Sequence, residues 1–432
     1  REALAGAKTP THDGPAKPAE PAPPLPLPAK PSIAVLPFNN KSGDPEQEYL
    51  ADGLTEDITA ALSRWRWFFV IARNSSFTYK GRDIEPDRVG RELGVRYVLE
   101  GSVRKAGDRV RVTAQLVDLA DGSHLWADKF DRQLIDILPL QDEITEQVVA
   151  AIAPTLLHSE GARAQRESLA DFNALDCFYR GMWNLNKVSL EGHGEALRLF
   201  GEAIERDPQL PLGHIGLARI LFGGAVFGWS LEPLADLHAS RASARTAIDL
   251  DPRDACAYFA ASGASLYLGD HGAALGEALS STSLNPNFAP GQVRLGQVLT
   301  FSGRPSEAIA PIERCVRLSP YDPQLGVMLE SLALAHYQAR NYEAAIEQAK
   351  GAMRQKRTSA SGVLAASLAR LGRLEEAGRA LPPSPWRHAS LQRPMAAPYA
   401  DPADFEHLRQ GVRLARQNRP PQDEDPRADL DG

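Results

Sequence analysis

Apolar and polar positions follow two different rhythms along the chain. Between residue 31 and about residue 165, short apolar runs are mixed with helical stripes. Ser32 to Phe38 is an apolar run stopped by Asn39-Asn40, and it predicts a buried strand. Glu48 to Arg64 places Leu50, Leu54, Ile58, Ala61 and Leu62 on one helical face. Phe68 to Ala72 predicts the next strand. Strand, crossover helix and strand together suggest a parallel βαβ unit. Asn74-Ser75-Ser76 predicts a turn, and Pro86 to Leu93 a short helix closed by Gly94. The period then becomes two. Tyr97, Leu99, Gly101 and Val103 share a face, and after the turn at Ala106-Gly107-Asp108 the set continues with Val110, Val112, Ala114, Leu116 and Asp118. Asp121-Gly122 turns the chain into His124 to Trp126 and Phe130, and a long helix is expected from about Ile137 to Arg166. The predicted class is α+β, with helices packed on one mixed sheet.

From about residue 170 the rhythm is helical and repeats. Asp251-Pro252, Asn285-Pro286 and Ser319-Pro320 stand 34 residues apart, as do Gly269 and Gly303, and Ala274 and Ala308. Each unit reads as helix, glycine turn, helix, proline stop. Ala196, Phe200, Ala203 and Pro208 have the spacing that Ala308, Ile312, Cys315 and Pro320 show again, and Leu295-Gly296 supplies a small residue for close helix approach. This half resembles a tetratricopeptide-repeat array, which implies an all-α solenoid over residues 170–381. Five units are expected, with Ala345 in the fifth. A degenerate cap follows, carrying Leu371-Gly372 and Ala377 and cut short by Pro382-Pro383. Two spacings depart. Pro208 to Pro252 is 44 residues, so about ten extra are expected near Gly223 to Leu231, and Pro320 to Ala345 carries three extra. Residues 382–432 read as a helix from Asp401-Pro402 to about Leu414, then a polar, Pro-rich disordered tail from Arg416.

The segment 31–167 carries a second resemblance. Pro31 to Phe38, Gly43 to Tyr49, Ala51 to Leu54, Val70 to Phe77, Gly94 to Arg104 and His124 to Ala127 look like the TolB amino-terminal-like domain. It is similar to the version in multidomain bacterial signalling proteins. There the domain follows a class III adenylate/guanylate cyclase domain or a winged-helix DNA-binding domain, and precedes tetratricopeptide repeats. The resemblance implies a module and no reaction. Nine prolines fall from Pro10 to Pro31, and residues 1–30 read as a disordered, polyproline-like spacer. A spacer needs something on both sides, and the chain starts with Arg1, so an upstream domain is expected.

Composition narrows the function. Apolar residues make up 43% and charged residues 24%, an ordinary globular balance. With 48 Lys and Arg against 55 Asp and Glu, the net charge of −7 excludes a chain-wide basic surface for nucleic acid. The longest apolar run, Ile220 to Trp229, is far short of the roughly 20 residues of a membrane helix. Cys177, Cys256 and Cys315 have neither disulfide nor zinc spacing and read as buried packing residues. No phosphate loop, dinucleotide turn or His-Glu-x2-His pattern occurs, so no catalytic, cofactor or metal residue is assigned. His124 reads as a hydrogen-bonded strand histidine. In the basic stretch from Arg64 to Arg111 the interleaved Trp65, Trp67, Phe77 and Tyr79 sit at strand and helix edges, where core packing explains them, and the stretch reads as solvated surface ahead of a domain contact, with nucleic acid last. Arg73, Asn74, Ser75, Ser76 and Lys80 are a candidate anion pocket, weighed below a structural turn. The expected function is a non-catalytic regulatory scaffold, cytoplasmic unless an upstream membrane helix places it in the periplasm. Its groove would take a protein or peptide, or pair two copies. The alternatives are the regulatory part of a class III adenylate cyclase and the effector part of a winged-helix regulator.

Overall fold

A sheet region and a stack of helices make up the protein in a computed structural model that describes residues 27–28, 30–82, 86–134, 136–166, 173–318, 324–381 and 398–418. The proline-rich spacer up to residue 26, Pro320, Pro382-Pro383 and the tail beyond residue 418 lie outside the described residues.

The sheet runs β3-β1-β4-β5-β6, with β2 also on β4. Its strands are β1 (Ser32–Val35), β2 (Asn39–Asn40), β3 (Phe69–Val70), β4 (Tyr97–Ala106), β5 (Arg109–Asp118) and β6 (Ser123–Gln133). Helix α1 (Glu48–Leu62) crosses over between β1 and β3, which pair in parallel as the βαβ reading requires. The β4–β5 hairpin opposes Leu99 to Leu116 and Val103 to Val112, so the period-two residues share the inner face. That face is covered by α1 and by α4 (Ile137–Arg166), whose Leu54, Ile58, Val148 and Ile152 are fully enclosed. Gly101 lets the layers meet there, because a Cβ would stand 2.6 Å from the Phe38 ring and 2.4 Å from the Thr113 carbonyl. Asp118 tolerates its inward slot because Arg96 grips it, with Nη2 at 2.8 Å. On the opposite face lies α3 (Pro86–Leu93), whose Leu93 packs on the cluster of Ala34 and Val98, while α2 (Arg73–Phe77) sits beside β1. The turn expected at Asn74 to Ser76 is therefore part of a short helix.

Among the described residues twelve α-helices follow in pairs. They are α5 (Ala174–Asn186), α6 (Leu190–Arg206), α7 (Pro211–Phe227), α8 (Pro233–Leu250), α9 (Ala255–Tyr267), α10 (His271–Leu284), α11 (Ala289–Phe301), α12 (Pro305–Leu318), α13 (Leu325–Gln338), α14 (Tyr342–Arg354), α15 (Ser361–Arg370) and α16 (Leu374–Ala380). A further helix, α17 (Pro402–Gln417), packs on α15 and α16. Gly269, Gly303 and Gly372 take φ of +81°, +75° and +75° between paired helices. Each is followed by an N–H that donates back to the preceding helix, as Arg304 does to the Leu299 carbonyl at 2.9 Å. In the fifth pair Arg340 occupies this left-handed slot, at φ +67°. The ten extra residues fall about where expected, around Gly223 to Leu231, and most of them are helical. Helices α7 and α8 have 17 and 18 residues where α9 and α10 have 13 and 14, so each gains about one turn.

The sheet region and the stack share one core. Trp65, Trp67 and Phe68, just after α1, are enclosed with Phe178, Tyr179 and Phe288 of the helical half. Trp65 meets Phe288 edge-on at 5.5 Å, and Trp67 meets Phe178 at 6.1 Å. Arg66 Nε is 2.8 Å from Asp251 Oδ2, and Arg314 pairs with Glu146 of α4. The tryptophans of the basic stretch are core residues, as packing at the strand and helix edges leads one to expect, and the core they enter is the one that closes this joint.

Candidate functional site

The first helices of the pairs, α5, α7, α9, α11, α13 and α15, pack side by side and line one face of the stack, while their partners stand behind. Small residues set the spacing. Ala196, Phe200, Ala203, Ala274, Ala308, Cys315, Ala345 and Ala377 are completely enclosed, and Leu295 is buried beside Gly296. A Cβ on Gly296 would stand 2.2 Å from Ile312 Cγ1. Pro208 and Pro252 are exposed and Pro286 half-buried just after their helices, where a missing N–H ends the helix. Cys315 belongs to a small buried cluster with Ala150 of α4, Ala289 and Met328.

The face has two parts. Over α11, α13 and α15 it is covered by the chain itself. The Ala400 N–H donates to the Phe301 carbonyl at 2.8 Å, and the Tyr399 ring stands on Phe301 with centroids 4.8 Å apart. Gln338 Nε2 donates to the Tyr399 hydroxyl and to the Asp404 carbonyl, both at 3.1 Å. Farther along, the Tyr337 hydroxyl and Arg370 Nη2 donate to the His407 carbonyl at 2.9 and 2.8 Å, and Gly411 lies on Ala366. Burial, with Arg340 and Arg370 nearby, pushes the His407 imidazole down to about 4.

Over α7, α9 and α11 the face carries aromatic rings and two arginines. The Arg294 guanidinium carbon lies 4.7 Å from the Phe222 ring centre and 5.0 Å from that of Phe259. Arg219 approaches Phe259 from α7 at 5.8 Å, and its Nη1 lies 3.5 Å from Met182 Sδ. Gly263 makes room, because a Cβ there would stand 3.0 Å from the Arg294 guanidinium. Arg294 is only 7% exposed, and its Nε has no hydrogen-bond partner among the described residues. Burial pushes Arg294 down to about 10, and the charge of Arg219 adds to this. Sequence reasoning missed both arginines. The available signal was a cation inside an apolar helical run, as in Leu217-Ala218-Arg219-Ile220 and Val293-Arg294-Leu295.

The predicted anion pocket is not assembled. Lys80 Nζ bonds Asp52 at 2.6 Å and Glu48 at 3.0 Å, and Arg73 pairs with Glu56 at 3.2 Å while lying over Phe77. Ser76 is buried, and Asn74 and Ser75 belong to α2. Neighbouring carboxylates already hold both cations. His124 is exposed on β6, without the side-chain hydrogen bond expected of it among the described residues. The three cysteines are buried, and none is in a disulfide. Among the described residues no group of three His, Cys, Asp or Glu side chains could hold a metal ion. No helix there is long and apolar enough to cross a membrane.

Comparison with known proteins adds names to this geometry. The sequence profile of a family described as "HilA/YgeH-like transcriptional regulator, second domain" matches residues 29–147. A protein of Rhizobium meliloti (strain 1021) named "Putative adenylate cyclase 3" is 45% identical over 229 residues, which is 53% of this chain and 39% of that protein. The chain thus spans about two fifths of that relative's length. Among solved structures, a thermophilic TPR protein of Thermus thermophilus aligns over 40% of this chain and 87% of its own, at 22% identity and a TM-score of 0.33. TolB from Acinetobacter baumannii aligns over 31% of this chain and 30% of its own, at 19% identity and a TM-score of 0.22. The chain is mostly a tetratricopeptide-like helical repeat stack with a small amino-terminal sheet region.

Proposed function

We propose that this chain is a non-catalytic regulatory region that recruits a protein partner on the inner face of its helical stack. One observation carries the reading. Part of that face already holds polypeptide: residues 398–401 dock on α11 and α13 by a backbone hydrogen bond and an inserted tyrosine ring. The neighbouring part, over α7 and α9, offers partly exposed rings of Phe222 and Phe259 for a segment from another molecule. The sheet region is a TolB-amino-terminal-like module, and the core it shares with the stack passes the bound state toward whatever precedes it. The identity to a protein named as an adenylate cyclase favours a cyclase parent, whose catalytic domain would lie upstream. The profile match over residues 29–147 supports the second reading, the effector part of a transcription regulator.

A photo-crosslinking residue at Phe222, in the intact protein in its native cells, tests the recruiting face. The expected result is a discrete covalent adduct with another protein, absent when the probe sits at exposed Leu279 on α10. Equal adducts from both positions, or none from Phe222, would refute the reading.

A further inference from the structure

We propose that the outer side of the stack carries a site for a small zwitterion of the amino-acid class, in a cleft between α8 and α10. Helix α9 packs against both and closes the cleft from behind, so the site stands apart from the recruiting role of the inner face. The cleft has a volume of about 320 Å³. Its buried part holds Ser265 of α9 and Glu277 of α10, and its rim holds His238, Arg241 and Arg245 of α8 with Asp270 at the start of α10. Glu277 is 9% exposed and Ser265 is completely enclosed. Neither Glu277 Oε2 nor Ser265 Oγ has a hydrogen-bond partner among the described residues. Arg245 Nη2 stands 4.0 Å from Glu277 Oε1, beyond hydrogen-bond reach.

A carboxylate and a hydroxyl together bring a single hydrogen to donate and lone pairs for several more. Even a Ser265 hydroxyl turned onto Glu277 leaves the pair short of donors. Burial pushes the Glu277 carboxyl up, the mark of a missing counter-charge. An ammonium group supplies both the N–H donors and the charge. At the rim the sign reverses. Arg241 and Arg245 are neighbours one turn apart on α8, and their guanidinium groups offer forked donors to an anionic group. A donor-poor interior under a donor-rich rim fits a molecule with its ammonium inward and its carboxylate outward. No aromatic ring lines the cleft, since two alanines complete its wall, and a nucleobase would find nothing to stack on. The repeat does not require this polarity. At 34 residues farther on, the positions of Ser265 and Glu277 are held by Leu299 and Pro311. A buried acceptor pair without donors is costly, and a stack built for stability alone has no use for it here.

The test is calorimetric titration of the intact chain with the common free amino acids in turn, and with the N-acetyl and amide forms of any that binds. At least one free amino acid should bind. Acetylation removes the ammonium charge and amidation the carboxylate, and each should weaken binding at least about tenfold. Glu277→Gln should weaken it by at least about tenfold, and Arg241→Gln combined with Arg245→Gln by a similar factor, while Glu307→Gln on α12 should leave it unchanged. Melting followed by circular dichroism separates lost binding from lost folding. Glu277→Gln should melt no lower than the native chain, because it removes a buried carboxylate that lacks donors. Absence of binding by every free amino acid, equal binding of the acetylated or amidated form, unchanged affinity in Glu277→Gln, or a Glu277→Gln chain that melts well below the native one would each overturn the proposal. A crosslinked partner at Phe222 together with any of these results would leave the recruiting face standing and remove only the outer site.

Discussion

Truncating Trp65 tests whether the sheet region and the helical stack unfold together. Trp65 is 7% exposed and contacts three rings: Trp67 at 5.6 Å, Phe68 at 6.2 Å and Phe288 at 5.5 Å. Phe288 belongs to the stack, so the indole lies across the joint. Replacing a buried Trp by Ala costs about 3–5 kcal/mol, and lost ring pairs of about 0.5–1.5 kcal/mol each fall within that range. The indole N–H is buried without a hydrogen-bond partner among the described residues, so its removal gives back about 1 kcal/mol. A net loss of about 3 kcal/mol is expected for Trp65→Ala, concentrated at the joint. Urea unfolding followed by circular dichroism should change from one transition into two, with the sheet region and the stack melting apart. Limited proteolysis should then cut near Arg163 to Arg166, a stretch that intact α4 holds through the Arg163–Glu160 and Arg163–Asp176 pairs. A single transition at the unaltered midpoint, with an unaltered digestion pattern, would refute the shared core.

Three further perturbations follow from the packing. Burial pushes the Asp254 carboxyl up to about 6, with Asp251 adding to the effect, against an ordinary 3.8. Folding therefore binds a proton between those values: the contribution is complete below about pH 4 and is lost, by about 3 kcal/mol, as pH rises through 6. Asp254→Asn keeps an oxygen for the Cys256 N–H, at 2.8 Å in the native chain, so the difference in urea midpoint between variant and native protein should grow in the variant's favour from about pH 4 to pH 7; a constant difference would contradict this. Gly296→Ala should destabilise by about 1–3 kcal/mol, because its Cβ meets Ile312 and the Ala308 carbonyl, whereas Gly201→Ala on α6, with nothing within 4 Å, should stabilise by about 0.5–1 kcal/mol; melting temperatures moving in the same direction would sink the argument. Arg340→Gly should stabilise by about 1 kcal/mol by freeing the left-handed turn that glycine serves in three other pairs, and a lowered melting temperature would contradict it.

Local pattern reached far into this protein. The period of two placed Tyr97 to Asp118 in a hairpin with the observed faces, because alternation follows from the pleat alone. The 34-residue period placed Ala274, Ala308, Gly269 and Gly303 at equivalent points, because each repeat needs the same small side chain at its crossing and the same left-handed turn. Tertiary structure decided the rest. Trp65 and Trp67 look like edge aromatics in sequence, and only the docking of the stack buries them. Lys80 and Arg73 look like free cations, and only the fold of α1 brings Glu48, Asp52 and Glu56 beside them. Arg219 and Arg294 are 75 residues apart in the chain. No local period connects them, and they meet over Phe259 because consecutive pairs stack at helix-packing distance. Sequence determines which faces are apolar and where the backbone turns. Long-range docking determines which charges find partners, because a side chain's neighbours across a joint are set by the whole fold.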